Sequence, residues 1–107
     1  MVSYTLTGIL YSKKNYDLEF KLNQICKKRN TFLTTSTDFI ELTIKNAELK
    51  PKFIFCDLST IHLIDYKIQA FLNRTDFNDT NIILIGKIDE KNKYNSLANN
   101  IYFVTID

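Results

Sequence analysis

Midway along the chain, Phe53-Ile54-Phe55-Cys56 forms an unbroken apolar run that stops on the carboxylate of Asp57. Successive side chains of a β-strand point to opposite faces, so a run without alternation needs apolar cover on both. Such strands sit in the middle of parallel sheets wrapped by helices, and ligands of open sheets of this kind gather beyond the carboxyl ends of the strands. The run therefore sets an expected class, α/β, and an expected site, around Asp57.

The rest of the chain alternates apolar runs with stretches of helical period, the pattern of a parallel sheet covered by helices. Five strands are expected. The first runs from Tyr4 to Tyr11, and its helix carries Leu18, Leu22, Ile25 and Cys26 at the spacing of one buried face. A short second strand, Thr31 to Thr35, leads to Thr37 or Asp38 as helix cap, with Glu41 three residues after Asp38 as in a capping box. That second helix is expected to bury Ile40, Ile44 and Ala47. Lys50-Pro51 ends it, because proline cannot continue a helix and pushes its predecessor out of helical angles. The third strand is then Lys52 to Asp57.

A third helix is expected on Ile64, Ile68, Phe71 and Leu72, with Asp65 near its positive end. The polar stretch from Arg74 to Asn81 reads as a loop. Asn81 to Lys87 gives a fourth strand, Asp89 can cap a short helix carrying Tyr94, Leu97 and Ala98, and Ile101 to Ile106 gives the fifth strand. With two glycines and one proline there is no flexible linker, so residues 1–107 read as a single domain. Gly8, inside the first strand, reads as a point of close packing.

Composition excludes several functions. Fourteen basic against twelve acidic residues leave a formal charge of +2, too little to argue for nucleic acid. The one basic run, Lys27-Lys28-Arg29, falls where a helix C-terminus welcomes cations. The six tyrosines and eight phenylalanines fall mostly at buried positions of the pattern and do not suggest base stacking. No apolar run approaches the roughly 20 residues of a membrane span, and no export signal is visible. The expected compartment is the cytoplasm. Cys26 and Cys56 lack metal-ligand spacing and read as small buried hydrophobes, although a helix and a neighbouring strand can touch, which leaves a disulfide open. No phosphate-cradling glycine loop can be written. His62, the one histidine, lies just beyond Asp57 without a Ser or Cys partner of known geometry. No cofactor and no metal are expected.

A βα unit repeated four times and closed by a fifth strand resembles the receiver (CheY-like) domains of two-component response regulators. The segment Lys50-Pro51-Lys52-Phe53-Ile54-Phe55-Cys56-Asp57-Leu58 is similar to that family's third strand. The resemblance implies a flavodoxin-like sheet in the order 2-1-3-4-5, with Asp57 at the phospho-acceptor position. It also implies an acidic pair for magnesium after the first strand, where this chain has Tyr11 and Ser12. The hydroxyl expected at the end of the fourth strand is replaced by Gly86. The lysine-proline that ends the fifth is replaced by Thr105 and Ile106. The family's last helix is missing from the sequence given.

Phosphoryl transfer to an aspartate needs cations to neutralise charge on the phosphoryl oxygens, and Asp57 alone does not supply them. Lys87, one residue past Gly86, and Lys13, which follows Ser12, are the candidates to supply positive charge. Asp57 has an alternative role, capping the following turn or pairing with a lysine. The expectation is therefore a pseudo-receiver: not an enzyme, but a signalling module that contacts a protein partner, or a second copy, through the sheet face its last helix would cover. Ile82, Leu84, Tyr102 and Val104 are the apolar residues expected there. Two other readings stay open. One is a working receiver that phosphorylates Asp57 with an unusual cation arrangement. The other is a STAS-like, anti-sigma-antagonist type of binding domain, since Asp57-Leu58-Ser59 and Leu63-Ile64-Asp65 also resemble pieces of that family, with Tyr66 where its phosphorylated serine would stand.

Overall fold

The computed structural model describes residues 6–61, 80–91 and 101–105. Strands β1 (Leu6–Tyr11), β2 (Thr31–Ser36), β3 (Phe53–Asp57), β4 (Asn81–Gly86) and β5 (Ile101–Thr105) form one parallel sheet in the order β2-β1-β3-β4-β5. This is the expected 2-1-3-4-5 winding, with β3 at its centre. Helices α1 (Tyr16–Lys28), α2 (Phe39–Leu49) and the short α3 (Ile88–Lys91) are the helical elements among the described residues.

Parallel pairing puts register partners, and every second residue along each strand, on one face. Ile9, Tyr11, Ile54, Cys56, Ile82 and Leu84 face α2 and form the larger core with Leu42, Leu58 and Ile61. Leu10 and Ile85 face the other way and meet Leu22 of α1, with Leu18, Leu33, Phe55 and Ile83 packed around them. The central run is thus covered on both sides, as its lack of alternation requires.

Helix α1 starts where Asn15 accepts a hydrogen bond from the Leu18 amide at 3.2 Å, and Asp17 and Glu19 in its first turn oppose Lys27 and Lys28 in its last, each matching the dipole. Leu22 and Cys26 are buried as expected; Ile25 is exposed instead. For α2 the cap is Asp38, which accepts from the Glu41 amide at 2.7 Å. Its buried side differs from the expected one. Leu42 is fully buried and Phe39 packs beside it, whereas Ile40 and Ile44 are exposed and Ala47 lies outside the core. Two apolar sets at helical spacing exist in this segment, and the sheet chose the one that puts Leu42 against Ile9 and Ile54.

Lys50 closes α2 in the left-handed region with φ of 45°, its amide on the Asn46 carbonyl. Gly8 is less constrained than expected: an added Cβ would meet the Phe55 ring edge at 3.4 Å, an ordinary contact. Helix α3 begins at Ile88, so Asp89 lies within its first turn and not ahead of it. Both cysteines are free, Cys26 on the α1 side of the sheet and Cys56 on the α2 side. The expected third helix, His62 and the residues Tyr94, Leu97 and Ala98 lie outside the described residues, as do Tyr4 at the start of β1 and Ile106 at the end of β5.

Candidate functional site

Asp57 ends β3 at the carboxyl edge of the sheet, has no solvent-exposed surface, and shares the α1 side of the sheet with Ser12. Its Oδ1 accepts from the Ser59 hydroxyl at 2.6 Å and the Ser59 amide at 3.1 Å. Its Oδ2 accepts from the Ser12 hydroxyl at 2.8 Å, the Asn15 carboxamide at 3.1 Å and the Thr60 hydroxyl at 3.1 Å. The main chain joins in, with the Asp57 carbonyl taking the Thr60 and Ile61 amides at 3.1 and 2.9 Å. This is an aspartate that caps its own turn and ties down the loop after β1.

The tie is built from both loops. After β1, the Ser12 amide donates to the Ser36 carbonyl at 3.0 Å and the Lys13 amide to the Thr60 hydroxyl at 2.9 Å. Lys14 follows in the left-handed region with φ of 60°, which turns the chain into α1. Asn15 then works at both ends of its side chain. Its Oδ1 caps α1 while its Nδ2 reaches Asp57, so one carboxamide couples the helix start to the carboxylate.

Burial by itself would raise the Asp57 pKa; the hydrogen bonds from Ser59, Ser12, Asn15 and Thr60 outweigh it and hold the carboxyl below its ordinary value. Asp57 is therefore anionic at neutral pH. Next to it in sequence but on the opposite face, the Cys56 thiol is pushed up to about 12 by burial and, secondarily, by the Asp57 charge.

Of the two positions expected to hold the acidic pair's place, only Ser12 reaches Asp57. Tyr11 points to the other face and joins the core. Gly86 is buried at the end of β4 with no side chain to offer, and Thr105, its register partner on β5, is exposed. Lys13 meets the site through its backbone and not its amine. Asn15, Ser59 and Thr60 were not among the expected site residues. The Asp-x-Ser-Thr sequence is a turn signature that points to the last two, and an asparagine directly before a helical pattern is a cap signal for the first.

The receiver resemblance implies magnesium, and the donor set does not fit it. The groups around Asp57 are three hydroxyls, a carboxamide and an amide, all directed at the carboxylate oxygens that a hard cation would use. Among the described residues no three His, Cys, Asp or Glu side chains converge.

On the same side of the sheet, an apolar groove of about 480 Å³ runs beside α1, lined by Leu6, Ile25, Cys26, Phe53, Phe55 and Ile83. The Phe53 and Phe55 rings stack at 6.1 Å. Tyr102 and Val104 continue this surface across β5, 53% and 49% exposed. The expected bare patch is thus only half correct: Tyr102 and Val104 are in register with Ile83 and Ile85, whereas Ile82 and Leu84 lie on the opposite face and are buried in the core.

No protein-family model matches the chain and no curated protein matches its sequence. Among solved structures, the crystal structure of response regulator RPA3017 in red light signaling of R. palustris superposes with a TM-score of 0.62, covering 91% of this chain and 78% of that one at 16% sequence identity. That likeness shows a CheY-like, flavodoxin-like fold. No helix among the described residues is long and apolar enough to cross a membrane.

Proposed function

We propose that this chain is a pseudo-receiver: a receiver-like signalling domain that acts by binding protein, in the cytoplasm, without enzymatic activity and without magnesium-dependent phosphorylation of Asp57. One observation carries the reading. Both carboxylate oxygens of Asp57 are occupied by protein donors, and a nucleophile attacking phosphorus would have to give up hydrogen bonds that are each worth about 1.5–3 kcal/mol when made to a charged group. The depressed pKa points the same way, because it lowers the basicity of the carboxylate. The groove beside α1 and its continuation over Tyr102 and Val104 supply the apolar surface that a protein partner or second copy would cover.

Exposure to acetyl phosphate and magnesium, read by intact mass, tests the proposal. No mass gain at Asp57 is expected. A covalent phosphate that Asp57→Asn abolishes overturns it and establishes the second reading, a working receiver. That reading draws support from the position of Asp57 at the end of the central strand.

A further inference from the structure

The apolar groove beside α1 lies between that helix and the sheet. Ile25, Cys26 and the capping residue Arg29 form its helix wall, and its floor comes from four adjacent strands: Thr31 of β2, Leu6 of β1, Phe53 and Phe55 of β3, and Ile83 of β4. Three strand spacings of about 4.8 Å make it roughly 14 Å long. Spread over that length, a volume of about 480 Å³ leaves a mean cross-section of roughly 34 Å². A helix about 10 Å across needs roughly 80 Å². A docking helix therefore lies over the groove without filling it, whereas a guest as narrow as one alkyl chain fits inside.

The two ends of the groove differ. Toward β4, Ile83 and the stacked Phe53 and Phe55 rings offer only carbon. Toward β2 stands Arg29, whose amide donates to the Cys26 carbonyl at 3.0 Å and whose carbonyl accepts from the Thr31 hydroxyl at 3.2 Å. Its main chain is thus held while its guanidinium, among the described residues, makes no ion pair or hydrogen bond. No described carboxylate lines the groove, and exposed Lys27 and Lys28 precede Arg29. That end calls for an anion, and a guanidinium matches a carboxylate with two parallel hydrogen bonds.

We infer that the groove is a binding site for a free single-chain carboxylic acid of the fatty-acid type. The carboxylate meets Arg29, and the chain crosses Phe53 and Phe55 toward Ile83. The site goes beyond the proposed function and is separate from Asp57: Leu6, Thr31 and Phe53 begin their strands, whereas Asp57 ends its own. A bound acid leaves Tyr102 and Val104 open to a protein partner. Each methylene removed from water adds to the affinity, so the site favours longer chains until the groove is full.

Calorimetry of the full chain with dodecanoate, located by amide NMR, tests the inference. Saturable one-to-one binding is expected, with shifts at Leu6, Arg29, Phe53 and Ile83. Hexanoate is expected to bind about tenfold more weakly or worse, because it buries fewer methylenes. Dodecyltrimethylammonium, with the same chain and the opposite charge, is expected to bind about fivefold more weakly. Arg29→Gln, at an exposed position, is expected to weaken dodecanoate about threefold and to leave dodecanol unchanged. Absence of saturable dodecanoate binding overturns the inference, as do shifts confined to other residues, equal affinity for the cationic chain, or equal affinity in Arg29→Gln. Binding to phosphatidylglycerol vesicles without binding to dodecanoate overturns it too, since the surface would then be reading a membrane and not a free acid.

Discussion

Asp57 shows how much one residue's surroundings decide. Its place at the end of a buried strand is readable from the apolar run before it, and Ser59 and Thr60 are legible as turn formers beside it. Ser12 and Asn15 are not, because they arrive from 45 and 42 residues away and only the pairing of β1 with β3 brings them within reach. Asp57→Asn leaves one neutral carboxamide oxygen for donors that now also face an NH2 group; a loss of about 3 kcal/mol in urea unfolding is expected. Asn15→Asp keeps the α1 cap but sets a second negative charge against Asp57, and is expected to cost about 2 kcal/mol at neutral pH. Because the folded pKa of Asp57 lies below its unfolded value, its stabilisation is complete above about pH 4 and is lost as pH falls through the folded pKa. Thermal melts are thus expected to show an acid-side fall that is shallower in Asp57→Asn; equal slopes refute this. The Cys56 thiol, with its pKa near 12, is expected to resist alkylation until the protein unfolds.

At the scale of elements, starts and stops were more legible than faces. The Asp38 cap, the Lys50-Pro51 stop and the bounds of β3 follow from local chemistry that neighbours do not override. The buried side of α2 does not, since Phe39 with Leu42 and Ile40 with Ile44 are equally periodic, and the choice is made by the fit to Ile9 and Ile54 in the sheet. Leu42→Ala is expected to cost about 2–4 kcal/mol and Ile44→Ala under about 1 kcal/mol, which denaturant titration distinguishes. Lys50→Gly relieves a left-handed lysine and is expected to stabilise by about 0.5–1 kcal/mol on the same assay.

For the whole molecule, alternation of elements indicated the class and the receiver resemblance the winding, and the winding decided which residues share a face. The error over Ile82 and Leu84 is one of parity: in a strand buried on both sides, no polar residue marks which face is which. Tyr102 and Val104 are the residues on which a docking surface can be tested. Replacing both with serine is expected to lower dye binding to exposed apolar surface while leaving the urea midpoint nearly unchanged. The strand order also governs how this protein is made. β1 lies between β2 and β3, so its second edge is filled only when β3 has been synthesised, some 40 residues later, or a few seconds at roughly 5–20 residues per second. Until then Gly8 to Tyr11 have one edge without its strand partner, so the central pairing of the sheet is the one that order of synthesis delays.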